Sequence, residues 1–154
     1  MARKEKTIVI SAAGRDQGKM YHVEELAASE AEAWATRALF IMMNCGVEVP
    51  DDLLSAGLAG LAAIGIKSLT RVPYEMAKPL FDEMMRCVAI VPDPKQPMIR
   101  RGSRAGCVGP MIEDDIEEVS TRLQLRKAVM ELHLDFFLGA ARSKQEAAAE
   151  ASKA

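Results

Sequence analysis

The sequence predicts a small, mainly α-helical domain that opens with an N-terminal β-hairpin; an α+β arrangement is the alternative. Three observations lead there. Apolar residues recur at helical spacing in the stretches 29–45 and 116–137. Two short β-branched or aromatic-containing runs flank a glycine-bearing stretch near the start. The 154 residues, 49% hydrophobic and 27% charged, have ordinary globular composition and suffice for one domain with its own core. The expected layout is a flexible start (1–6), one globular domain (7–139) and a flexible polar tail (140–154).

The hairpin is read from "TIVIS" (Thr7–Ser11) and "MYHVEEL" (Met20–Leu26), joined through "AAGRDQGK". The stretch "GRDQGKM" also comes close to a phosphate-binding loop. Such a loop needs four residues between its glycines, a Ser or Thr after the lysine, and a helix to follow. Here three residues separate Gly14 from Gly18, Met20 follows Lys19, and the next segment reads as a strand. Turn glycines are the better reading, and no nucleotide or other cofactor is expected.

A first helix begins at Ser29, with Glu32 completing a capping box, and stops at Gly46. Trp34, Ala35, Ala38, Ile41, Met42 and Cys45 form its apolar arc. Phe40 and Met43 project into the polar arc, either under another element or as a contact surface. Pro50 and two aspartates open a second, small-residue helix over Leu53–Ile66. That apolar stretch is too short to span a bilayer and reads as a buried helix. A further helix, "PLFDEMMRCVAIV", places Leu80, Met84 and Cys87 on one face. Residues from Pro92 to Pro110 are read as a loop or a poorly paired hairpin. Its basic residues Arg100, Arg101 and Arg104 suit phosphate or an acidic partner, or simply a solvated loop, which is the favoured reading.

The final helix is expected to carry Glu113, Asp114, Asp115, Glu117 and Glu118 in its first turns, where carboxylates complement the helix dipole. A metal site there is disfavoured because the acids fan around the axis. Ile116, Val119, Leu123, Met130, Leu134 and Phe137 line one stripe, assigned to the core. Leu125, Val129, Leu132 and Phe136 line a second, assigned to a partner, with Arg122 and Arg126 beside it to orient acidic groups. After Gly139 the tail has no large apolar residue and cannot pack by itself.

Composition narrows function. With 20 basic and 22 acidic residues the net charge is -2, so no global field favours nucleic acid or an anionic membrane. Three cysteines, far apart and without a C-x-x-C pair, argue against a disulfide framework and a zinc site. The four-residue apolar run near the start is too short for a secretory signal. His22 and His133 have no nucleophile motif around them, so catalysis is not expected.

Four segments together resemble a phage tail assembly chaperone family: "GKMYHVEELAASEAEAWATRAL", "VEVPDDLLSAGLAGLAAIGIKSL", "PLFDEMMRCVAIVPDP" and "IEDDIEEVSTRLQLRKAVMELHLDFF". The likeness covers Gly18 to Phe137, and "IEDDIEEVSTRLQLR" and "WATRAL" carry most of it. It implies a non-enzymatic helper in the infected host's cytoplasm, absent from the finished virion. Such a helper binds the tape-measure protein and assists the tail-tube protein to polymerise around it. The family also implies a longer frameshifted form in many members, and self-association is left open. A virion structural subunit of the tail or head–tail connector is the alternative.

Overall fold

The computed structural model describes residues 3–46, 48 and 71–153, with the side chains of 134–149 excepted. Among these residues it contains four strands and three α-helices: β1 (Glu5–Val9), β2 (Met20–Glu24), α1 (Ala28–Asn44), α2 (Tyr74–Met85), β3 (Val88–Val91), β4 (Arg101–Gly102) and α3 (Val119–Ala151), with a 3-10 turn at Glu113–Asp115 before α3. The chain divides into two compact units, Met1–Ala27 with Lys78–Leu132, and Ala28–Ala77 with His133–Ala154. The small-residue helix expected over Leu53–Ile66 lies outside the described residues.

The fold is α+β, which corrects the expectation of a mainly α domain. The hairpin expected at the N-terminus is there, but it is only half of an antiparallel sheet ordered β1-β2-β3-β4. The misread segment is Val88–Val91. The sequence pattern runs the preceding helix through it, whereas α2 stops at Met85 and "VAIV" forms a strand buried along its whole length. Short, wholly apolar runs have no periodicity to separate strand from helix; the β-branched content is what favours a strand here. β3 lies between β2 and β4, with Tyr21 opposite Ile90, Val23 opposite Val88, and Ala89 opposite Gly102. A Cβ at Gly102 would sit 2.8 Å from that of Ala89 and 3.0 Å from the Val88 carbonyl, so only glycine lets β4 approach. The proline-rich stretch before it is thus the long connection of a sparsely paired hairpin.

At the N-terminus the chain is held earlier than expected. β1 starts at Glu5; Lys4 exchanges backbone and side-chain bonds with Glu25, and Arg3 lies 3.3 Å from Glu24. In the β1–β2 turn, Gly14 and Gly18 both have positive φ, as a glycine turn requires.

In the second unit, α1 buries Trp34, Ala35, Ala38, Leu39 and Met42, a stripe at helical spacing that includes the expected Trp34. Gly46, at positive φ, closes the helix as expected. α2, which belongs to the second unit up to Ala77 and to the first from Lys78, begins at Tyr74, five residues before the expected start, and carries Pro79 inside it. Ala77, Leu80 and Met84 form its buried face.

α3 starts later than expected. The acids of 113–118 precede it, in a 3-10 turn and an extended step at Ile116. Its stripes do not divide into core and contact as expected, although Met130, of the stripe assigned to the core, is buried. Leu125 is fully buried and Val129 is 1% exposed, whereas Val119 is 73% and Leu123 54% exposed. The face that begins at Val119 is open at the start of the helix and buried by Met130, so one stripe does not keep one environment along α3. The polar tail continues α3 to Ala151.

Candidate functional site

The "GRDQGKM" turn has a definite role, and it is built around Asp16. Its side chain is 1% exposed and accepts hydrogen bonds from the backbone N–H groups of Glu117 (2.9 Å) and Glu118 (2.8 Å) and from Lys19 Nζ (2.8 Å). These N–H groups lie immediately ahead of α3, where amides lack intrahelical partners and the helix dipole favours negative charge. A carboxylate from the distant hairpin therefore occupies the place that a phosphate takes in a nucleotide-binding loop. Burial alone would raise the Asp16 pKa. The bonds from Lys19, Glu117, Thr121 and Glu118 outweigh that and hold it well below the usual carboxylate range.

Lys19, at the position of the would-be phosphate lysine, is equally committed. Its ammonium donates to Asp16 Oδ1 (2.8 Å), the Asp114 carbonyl (2.8 Å) and Glu117 Oε2 (2.9 Å), which uses all three protons. Burial works against its charge, yet Asp16 and Glu117 raise its pKa above the ordinary lysine value. Arg15 adds a bond to Glu118 Oε1 (3.1 Å) and one to the Glu117 carbonyl (2.8 Å). Being mostly exposed, the Arg15–Glu118 pair adds little to stability.

Two further bonds tie the segment before α3 to the sheet. The buried Tyr21 hydroxyl donates to the Asp115 carbonyl at 2.6 Å. Burial, with Asp16 nearby, pushes the Tyr21 hydroxyl up to about 12. Arg101 forks onto the Asp115 carboxylate, which also accepts from the Ile112 N–H at 2.9 Å. Burial raises the Asp115 pKa, but Arg101 and the Ile112 amide outweigh it and the net shift is downward. Buried acids with paired donors on every side form a structural clamp.

The residues assigned to partner binding are dispersed. Leu125 and Val129 are core and present no open surface, which corrects their assignment as a contact stripe. Leu132 is half-buried, and the side chain of Phe136 lies outside the described residues. Arg126 places its guanidinium 4.7 Å from the Phe81 ring centre, a cation–π contact that covers part of the core. Arg122 is exposed. On α1, Phe40 and Met43 are both exposed, as a contact surface would require. The basic cluster is not a solvated loop: Arg101 holds Asp115, Arg104 donates to the Glu25 carbonyl at 2.7 Å, and Arg100 contacts His22 at 3.2 Å.

What sequence reasoning missed is an exposed apolar strip in the first unit. Val119 and Leu123 are one turn apart on α3 and share a face, and Ile112 is exposed just ahead of them. Ile112 also lines a cavity of about 250 Å³ with Met85, Met111 and Ile116, whose charged wall residues are Arg86 and Arg122 together with Asp82 and Glu113. Val119 and Leu123 share one stripe in the sequence pattern, but spacing alone does not say that the stripe is open here and buried at Met130.

Among the described residues no helix is long and apolar enough to cross a membrane, and no group of three or more His, Cys, Asp or Glu is placed to hold a metal ion. Cys45, Cys87 and Cys107 are not joined in disulfides. Comparison with protein-family models, with curated proteins and with solved structures gave no match.

Proposed function

We propose that this chain is a non-enzymatic phage tail assembly chaperone. In this reading it binds the tape-measure protein in the host cytoplasm, assists the tail-tube protein to assemble around it, and is not retained in the virion. The observation that carries the reading is the resemblance from Gly18 to Phe137, above all "IEDDIEEVSTRLQLR" and "WATRAL".

The geometry supports a role in protein contact. A chaperone for an extended helical client needs apolar surface left over once its own core is built, and the exposed Ile112, Val119 and Leu123 are such a surface. The adjoining cavity, with two methionines on its wall, suits adaptable packing against an apolar side chain. Arg86 and Arg122, with Asp82 and Glu113 in the same lining, give the cavity a mixed charged rim that can pair with residues of either sign flanking that anchor. Apolar anchors spaced one turn apart are what helix-on-helix recognition uses. The client contact is therefore assigned to the Val119–Leu123 strip, in place of the buried Leu125–Val129 stripe.

The test is co-expression with the tape-measure protein, followed by affinity purification and mass spectrometry of purified particles. A soluble complex, together with absence from particles, supports the chaperone. Stoichiometric presence in particles replaces it with a virion structural subunit.

A further inference from the structure

A second cavity, of about 160 Å³, opens beside β2 and β3 and beneath the loop around Arg100–Cys107. It takes no part in the clamp or in the proposed client surface. Two guanidinium groups, of Arg100 and Arg104, stand on its wall. Arg100 donates through Nε to the Pro97 carbonyl at 2.8 Å, and its Nη1 lies 3.2 Å from His22 Nδ1. A guanidinium can only donate, so His22 Nδ1 is the acceptor. The imidazole proton is then on Nε2, where Glu5 Oε2 accepts it at 2.9 Å. The remaining nitrogen of Arg100, Nη2, contacts only Met98 Sδ, at 4.0 Å, and a thioether is a weak acceptor. Arg100 thus brings a full positive charge and an edge without an oxygen acceptor to the cavity.

The surroundings leave that charge in place. Glu24 is the one carboxylate lining the cavity, and it already faces Arg3 at 3.3 Å. Across the cavity the loop turns at Gly106, whose φ is +90°. The N–H groups of Ala105 and Gly106 make no hydrogen bond with the described residues. Successive amides at such a change of handedness form concavities that hold anions.

The geometry points to a phosphate-group site in this cavity, with Arg100 as the principal ligand. Arg104 and the Ala105–Gly106 amides complete the donor set. Two guanidinium groups with neighbouring amides suit a group with three or four oxygens better than a carboxylate with two. The phosphate is either free or carried on a small monoester.

The experiment is an NMR titration of the full chain with inorganic phosphate, with phosphoserine, and with acetate at matched ionic strength. Saturable shifts confined to Arg100, Ala105 and Gly106 with either phosphate compound, and absent with acetate, are expected. A response to inorganic phosphate identifies the free ion, and a response to phosphoserine alone identifies a monoester. Arg100→Ala should weaken binding at least tenfold and Arg100→Lys by less, since lysine keeps the charge but not the fork. No saturable shift, shifts spread over unrelated basic residues, or equal shifts with acetate would overturn the assignment. The wild-type titration decides even where Arg100→Ala fails to fold.

Discussion

Replacing Asp16 by alanine removes the one acceptor shared by Lys19 Nζ and the amides of Glu117 and Glu118. Lys19 keeps Glu117 Oε2 and the Asp114 carbonyl, so it stays paired. The two amides do not, and an unmade buried bond costs about 1–3 kcal/mol. Adding the lost dipole interaction, the expected destabilisation is about 3–5 kcal/mol, the range for breaking a buried charged cluster from one side. Against a total of about 5–15 kcal/mol for a domain, that leaves a marginally stable protein. Asp16→Asn keeps one acceptor oxygen but turns a donor toward the amides, so about 2 kcal/mol is expected.

The pH dependence of folding adds a second readout. Asp16 has a lower pKa folded than unfolded, so its contribution is complete above the unfolded carboxylate value of about 4. It is lost as pH falls from there toward the folded value. Asp115 and Glu118 are shifted in the same direction and act in the same window. Urea unfolding across pH 2–7 should therefore show a wild-type stability that falls steeply below about pH 4 and a flatter curve in Asp16→Ala. A loss under about 1 kcal/mol at pH 7, with an unchanged acid slope, would refute the clamp.

How much of this was legible in the sequence differs from element to element. The β1–β2 hairpin and α1 could be read because alternation, turn glycines, the Trp34 periodicity and Gly46 are local signals. β3 could not, because four apolar residues carry no period. Asp16 looked like an ordinary turn residue. Its partners are about a hundred residues away, and a single sequence holds no record of such long-range pairing. The acids of 113–118 were placed in a helix from composition alone, and the actual start at Val119 is set by the tertiary bonds to Asp16, Tyr21 and Arg101. Periodicity likewise groups Val119 with Leu123 and Leu125 with Val129 but does not say which pair faces the core.

Four other substitutions probe separate parts of the account. Trp34→Ala should cost about 3–5 kcal/mol in denaturant unfolding, since the indole is buried in the second unit. Gly102→Ala forces a methyl group against Ala89 and the Val88 carbonyl and should cost about 1–3 kcal/mol, measured in the same way. Tyr21→Phe leaves the Asp115 carbonyl without its donor and should cost about 1–2 kcal/mol at neutral pH. Because burial raises the Tyr21 pKa to about 12, its hydroxyl stabilises the fold below about pH 10. That contribution is lost as pH rises toward 12, so the variant should lose part of the wild-type alkaline transition. Val129→Asp buries an unpaired carboxylate in the core and should prevent folding, seen as loss of cooperative thermal unfolding.

The central claim is that the chain works by contact through the exposed strip of α3, and Leu123→Asp tests it most directly. Leu123 is more than half exposed, so the variant should unfold at the wild-type temperature to within a few degrees. Burying a leucine on a partner contributes about 1.5–3 kcal/mol, so affinity for the co-expressed tape-measure protein should drop at least tenfold. A normally folded variant that still retains the tape-measure protein at wild-type affinity would contradict the account.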